Sequence, residues 1–215
     1  MTEQATAPEQ EATGPPPGMV QVPGGPFLFG RGKGRQVELG EFWIDATPVT
    51  NRAYLDYVNE TRRPAPRHWP AQGPTDEMLD LPVVFVTYAE AEAYAEHLGQ
   101  RLPTAAQFEK AARGTDGRKY PWGNTVRAKA SNTRESGILR LTPVGAFPLG
   151  ASPYGCHDMA GNVLHWTRAL KKGNARTLKG GCFREFLGAC CWTYEGEADK
   201  RLDHIGFRCV WTPSA

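Results

Sequence analysis

Residues that end helices and strands recur so densely along this chain that few long regular elements fit between them. Glycine contributes 24 and proline 18 of the 215 residues. Each favours a turn, a cap or a break. A bundle of long helices is therefore excluded, and a turn-rich fold of short elements is expected. The hydrophobic share of 40% still suffices for one domain with a core.

Local patterns place those elements. Met19–Gly30 alternates apolar residues about a Pro-Gly-Gly turn and reads as a hairpin or edge strand, with Val37–Ala46 as a second strand. Thr50 or Asn51 caps a short helix to Asn59, and Arg62–Pro82 reads as a long surface loop. Two main helices follow. Ala89–Leu98 places Ala91, Tyr94, Ala95 and Leu98 on one face, and Thr104 caps a helix through Arg113 that Gly114 ends. Beyond Gly117 the expected strands are Thr142–Phe147, Asn162–Thr167, Arg176–Lys179 and Gly206–Trp211. This is an α+β pattern. Trp122, Phe147, Trp166 and Phe207 are the expected aromatic anchors, and Arg101, Arg113 and Arg208 the expected buried clamps on loop carbonyls and carboxylates.

Charge narrows the partners. Lys and Arg number 25 against 23 acids, and a net charge of +2 gives no case for nucleic acid or an anionic membrane. Residues 1–17 hold acids, alanines and prolines but no apolar stretch, and read as a disordered tail before a domain over 18–215. The five cysteines are odd in number, which with that N-terminus favours a reduced, cytoplasmic chain. Four of the five fall between Cys182 and Cys209.

Five ordered blocks carry a family resemblance: Met19–Gly30, FWIDATPVTNRAY from Phe42, PVVFVT…RLPTAAQFEKAARG…YPWGN from Pro82, TPVGAFPLGASPYGCHDMAGNVLHWT from Thr142, and LKGG…IGFRCV from Leu178. Together they resemble the formylglycine-generating enzyme, or sulfatase-modifying factor, family. The resemblance implies a C-type-lectin-like α+β fold with two main helices, short irregular antiparallel strands and many loops. That fold hosts enzymes and binding modules alike.

The chemistry the resemblance implies is altered here. Members that make formylglycine bind Cu(I) through two thiolates, four and nine residues after the glycine pair. Counted from Gly181, those positions hold Glu185 and Cys190, so one soft ligand is replaced by a hard carboxylate. Cys182, with Cys190 or Cys191, is the alternative source of a displaced thiolate pair. Of the family's calcium ligands Asn132 is matched, while Ser136 and His165 stand at two other ligand positions, so calcium is not expected. His157 and His165 read as structural histidines.

No cofactor is the primary expectation, with copper the alternative. The favoured reading is a binding module for a protein or peptide ligand, presenting Phe183, Arg184, Glu185, Phe186, Trp192, Tyr194, Glu195, Arg201 and His204. A variable protein diversified by a retroelement is one version of it. The rivals are a copper- and oxygen-dependent oxidase of a cysteine-containing peptide acting through Cys182 and Cys190, and an accessory domain of another enzyme.

Overall fold

In the computed structural model, residues 14–32, 34–170 and 173–213 are described. Most of the expected tail, residues 1–13, lies outside them. Three small sheets and four helices surround a core in two halves. Strands β1 (Met19–Val22) and β4 (Phe42–Asp45) pair antiparallel, and β9 (Val210–Trp211) pairs with the other edge of β4. Strands β2 (Gly25–Phe29) and β3 (Arg35–Leu39) form a separate hairpin. The third sheet has the order β7 (Tyr194–Glu197), β6 (Ala175–Lys179), β5 (Leu164–Leu170), β8 (Ile205–Gly206).

The hairpin expected across Pro23–Gly25 is therefore corrected. β1 and β2 enter different sheets, because β1 finds its partner 20 residues and more downstream. The single strand expected over Val37–Ala46 is likewise two, broken at Gly40 and Glu41. Thr142–Phe147 is turn rather than strand, as Pro143 and Gly145 (φ 73°) require. The strands are antiparallel except β5 and β8, which run parallel with Leu164 opposite Ile205.

Helix α1 (Asn51–Thr61) is capped by Thr50, whose hydroxyl accepts from the Ala53 amide. It outlasts its expected end and matches the two main helices in length. Helix α2 (Asp76–Leu79) is one turn within the expected loop. Helix α3 (Tyr88–His97) opens on a capping box of Thr87 and Glu90, and α4 (Ala105–Arg113) on one of Thr104 and Gln107. Gly114 follows with φ 70°.

One half of the core gathers Tyr54, Tyr94, Trp166, Leu178, Cys182 and Phe207, and the other Phe42, Phe108, Met159, Cys156 and Cys190. Trp166 and Phe207 are fully buried as expected, but Trp122 and Phe147 are only half-buried. Leu98 is 43% exposed, since α3 ends one residue before it. Arg113 and Arg208 are the buried clamps expected. Arg208 donates to the Asp45 and His157 carbonyls at 2.8 and 2.7 Å, and Arg113 to the Arg118 carbonyl at 2.7 Å. Arg101 is instead exposed on the surface. Its expected role falls to Lys110, whose Nζ donates to the Pro23 and Gly25 carbonyls at 2.6 and 2.9 Å.

Candidate functional site

β6 delivers the chain to Gly180 and Gly181, both at positive φ (101° and 72°). A side chain at Gly180 would meet the His165 ring at 3.0 Å and Phe108 at 3.1 Å. The pair thus lets the backbone pass over the buried His165–Phe108 contact, whose ring centroids lie 5.0 Å apart. From there residues 182–192 run against the loops at Lys119, Arg134 and Asn162 through backbone hydrogen bonds, and the chain returns as β7.

That excursion sorts its side chains inward and outward. Cys182 is buried with Trp166 and Leu178, and burial pushes its thiol up. Cys190 is buried in the other half of the core, 4% exposed, and burial pushes its thiol up to about 12. Cys191 is half-buried, and all five cysteines are free thiols. Glu185, at the position the resemblance gives to the first thiolate, is exposed, and its carbonyl accepts from Arg134 at 2.9 Å. Among the described residues, no group of three or more His, Cys, Asp or Glu side chains is placed to hold a metal ion.

The expected recognition residues do not form one aromatic patch. Phe183 is buried, with its amide donating to the Asn162 carbonyl at 3.2 Å. Phe186 is 62% exposed beneath the Arg134 guanidinium, and Trp192 is 40% exposed beneath that of Arg31. Tyr194 and Glu195 belong to β7, Tyr194 half-buried and Glu195 exposed. Arg184 pairs with Asp203, which His204 also contacts at 3.0 Å. Arg201 donates to Glu90 at 2.6 Å.

Asn132 is completely buried and its amide is engaged. Nδ2 donates to the Arg140 carbonyl at 2.8 Å and to Asn162 Oδ1 at 3.1 Å, and Oδ1 accepts from Ser136 at 3.3 Å. This closed network holds loops together. His165 stacks in the core, where burial lowers its pKa well below the usual range and keeps the ring neutral.

Sequence reasoning missed a groove of about 360 Å³ beside this excursion. His68, Phe85, Leu139, Leu141 and Phe183 give it apolar walls, and Arg140, Arg184 and Asp203 supply charge. Phe183, Arg184 and the neighbourhood of Asp203 come from the stretch singled out in the sequence. The remainder come from segments 40 to 120 residues earlier. The clearest signal available was Trp69, the one Trp, Tyr or Phe of the loop 62–82, which proves buried.

The sequence profile of the Sulfatase-modifying factor enzyme 1-like domain matches residues 3–213. The chain is 30% identical to a protein of Mus musculus named Inactive C-alpha-formylglycine-generating enzyme 2, over 90% of this chain and 85% of that protein. It is 29% identical to the Formylglycine-generating enzyme of Thermomonospora curvata, over 91% and 94%. It is 31% identical to the Hercynine oxygenase of Mycolicibacterium smegmatis, over 69% of this chain but 44% of that protein. Among solved structures, CarF superposes with a TM-score of 0.76 at 23% identity, over 93% of this chain and 99% of the other. Treponema denticola variable protein 1 superposes with 0.73 at 20%, over 89% and 94%. These likenesses agree with the α+β, C-type-lectin-like fold described above.

Proposed function

Since this chain belongs to the sulfatase-modifying factor enzyme 1-like family, we propose that it is a binding module that keeps the family scaffold and takes a protein or peptide ligand without copper–thiolate oxidation. One observation carries this reading. Where the family resemblance puts two thiolates, Glu185 faces solvent and Cys190 is a buried thiol with its pKa raised to about 12. Cys182, the alternative partner, packs in the other half of the core. One carboxylate and one cysteine do not fit Cu(I), which prefers two soft thiolates. A relative that carries the word inactive in its name lies at 30% identity over most of this chain.

The stretch 183–204 supplies what a binding module needs. It offers two exposed aromatic side chains, Phe186 and Trp192, each under an arginine, and it forms one wall of the groove. Trp and Arg side chains at a partly desolvated surface are the residues that dominate protein recognition.

The reading is tested by anaerobic loading of the purified protein with Cu(I), followed by oxygen-uptake measurement with a cysteine-containing peptide. The expected result is substoichiometric copper and no oxygen consumption. Stoichiometric copper that is lost in Cys190→Ser, with oxygen uptake on the thiol peptide, would establish the oxidase instead. The narrower variable-protein version predicts a near-identical template repeat, with adenines at the codons for 183–204, beside a reverse transcriptase gene.

A further inference from the structure

The groove beside Phe183 is a built feature. Asn51, at the start of α1 and 2% exposed, donates through Nδ2 to the Met78 and Leu81 carbonyls at 2.8 and 3.3 Å. Its Oδ1 accepts from the Trp69 indole at 2.9 Å. One buried amide thus fixes three points of the segment that forms the near wall. Arg140, on the far wall, has its backbone carbonyl held by the buried Asn132 amide at 2.8 Å.

Two bulky residues that line the groove have left-handed backbones: Phe85 at φ 58° and Leu139 at φ 53°. Such a conformation is unfavourable for residues with a bulky side chain, and clusters of it mark sites where side chains are aimed at a ligand. Phe85 is held there by its amide, which donates to the Leu202 carbonyl at 3.0 Å, and its ring lies 4.8 Å from His68. Leu139 is 59% exposed. An exposed leucine on a strained backbone beside an apolar groove is poorly explained by packing within this chain.

The charge around the groove has a definite sign. Asp203 is neutralised by Arg184 and contacted by His204. Arg140 is exposed, and its guanidinium has no ion pair or hydrogen bond among the described residues. The lining therefore holds two arginines against one engaged carboxylate, an excess positive charge beside apolar walls. A volume of about 360 Å³ falls within the range of sites that take small ligands or side chains.

We infer that this groove binds a peptide segment in which a bulky apolar side chain stands next to a carboxylate, the side chain entering between Phe85, Leu139 and Phe183 and the carboxylate meeting Arg140. This rests on the binding-module reading and adds to it the class of ligand. A planar guanidinium with unused donors pairs with a carboxylate through two parallel hydrogen bonds, and the apolar walls weaken competition from water.

The test is titration of isotope-labelled protein with acetyl-Leu-Leu-Phe bearing a free terminal carboxylate, beside the same peptide as its amide, followed by NMR. The expected result is saturable shifts of Leu139, Leu141 and Phe183 with the acid, and about tenfold weaker binding of the amide, the scale of one charge-assisted hydrogen bond. Arg140→Glu is expected to lose about the same factor while melting at an unchanged temperature, and Arg140→Lys to recover part of it. Equal binding of acid and amide, binding unchanged in Arg140→Glu, shifts confined to other parts of the molecule, or no shift with either peptide would each overturn the proposal. Copper loading and oxygen uptake are read separately, so failure of the binding-module reading would show there and not in this titration.

Discussion

Glu109 of α4 and Lys179 of β6 meet at 2.8 Å with neither side chain reaching solvent. Glu109 also accepts from Arg113 at 3.1 Å and from the Gly30 amide at 2.8 Å, so its carboxylate joins the helix, the third sheet and the β2–β3 hairpin. Burial lowers the Lys179 pKa, and the Glu109 carboxylate works against that shift. Removing Glu109 strands Lys179 in the interior, and removing Lys179 leaves the buried carboxylate with Arg113 as its one charged partner among the described residues. Lys179→Met is expected to destabilise the fold by about 3 kcal/mol in urea unfolding. Lys179→Met combined with Glu109→Gln should cost less than the sum of the two changes. Strict additivity would show that the pair is not coupled.

Asp45 gives a pH dependence of opposite sign to the usual carboxylate. Burial raises its pKa from 3.8 to about 6, against the opposing hydrogen bond from the Cys209 amide and the nearby Arg208. The folded value lies above the unfolded one, so the native state binds the proton more tightly. Its contribution is fully present below about pH 4 and is lost as the pH rises through about 6. Asp45→Asn, which can still accept from the Cys209 amide, should flatten this part of the stability–pH curve. A slope unchanged in that variant would locate the titration elsewhere.

Thiol chemistry should separate Cys191 from the others. Cys156, Cys182, Cys190 and Cys209 are buried, and burial raises all four thiols. Cys191 is half-buried. Ellman's reagent at pH 8 is expected to react promptly with Cys191 alone in the native protein and with all five after unfolding. Prompt native reaction in a Cys191→Ser variant would contradict the placement of the other four.

Asn51→Ala removes three hydrogen bonds made by one buried amide and leaves the Trp69 indole and two carbonyls without that partner. The expected loss is about 2–3 kcal/mol. Amide exchange should accelerate first in the segment 66–82, ahead of α1 itself. Equal acceleration across both would mean that Asn51 supports the helix rather than the groove wall.

What could be read from the sequence was what neighbours along the chain decide. The Thr104 cap and Gly114 stop of α4 were legible because both act within one turn. The partners of β1 and β2 were not, since alternation marks a strand but not the strand it joins. Strand β7 was missed because YEGE has little strand propensity of its own. Its place is set by pairing with β6 and by Gly196, where a side chain would meet Leu178 at 2.8 Å and Trp166 at 3.1 Å. Lys110 took the clamp role expected of Arg101 because only the tertiary fold decides which long cation covers the carbonyls of Pro23 and Gly25. The groove drew on three distant segments, and so left only Trp69 as a trace.

Strand β4 carries the first and last described strands on its two edges, with Met19 opposite Asp45 and Trp211 opposite Trp43. At about 4.8 Å per strand spacing, the two lie about 10 Å apart across β4. Both run antiparallel to β4 and so parallel to each other, and a force drawn between Met19 and Trp211 would shear the two ladders lengthwise rather than unzip them bond by bond.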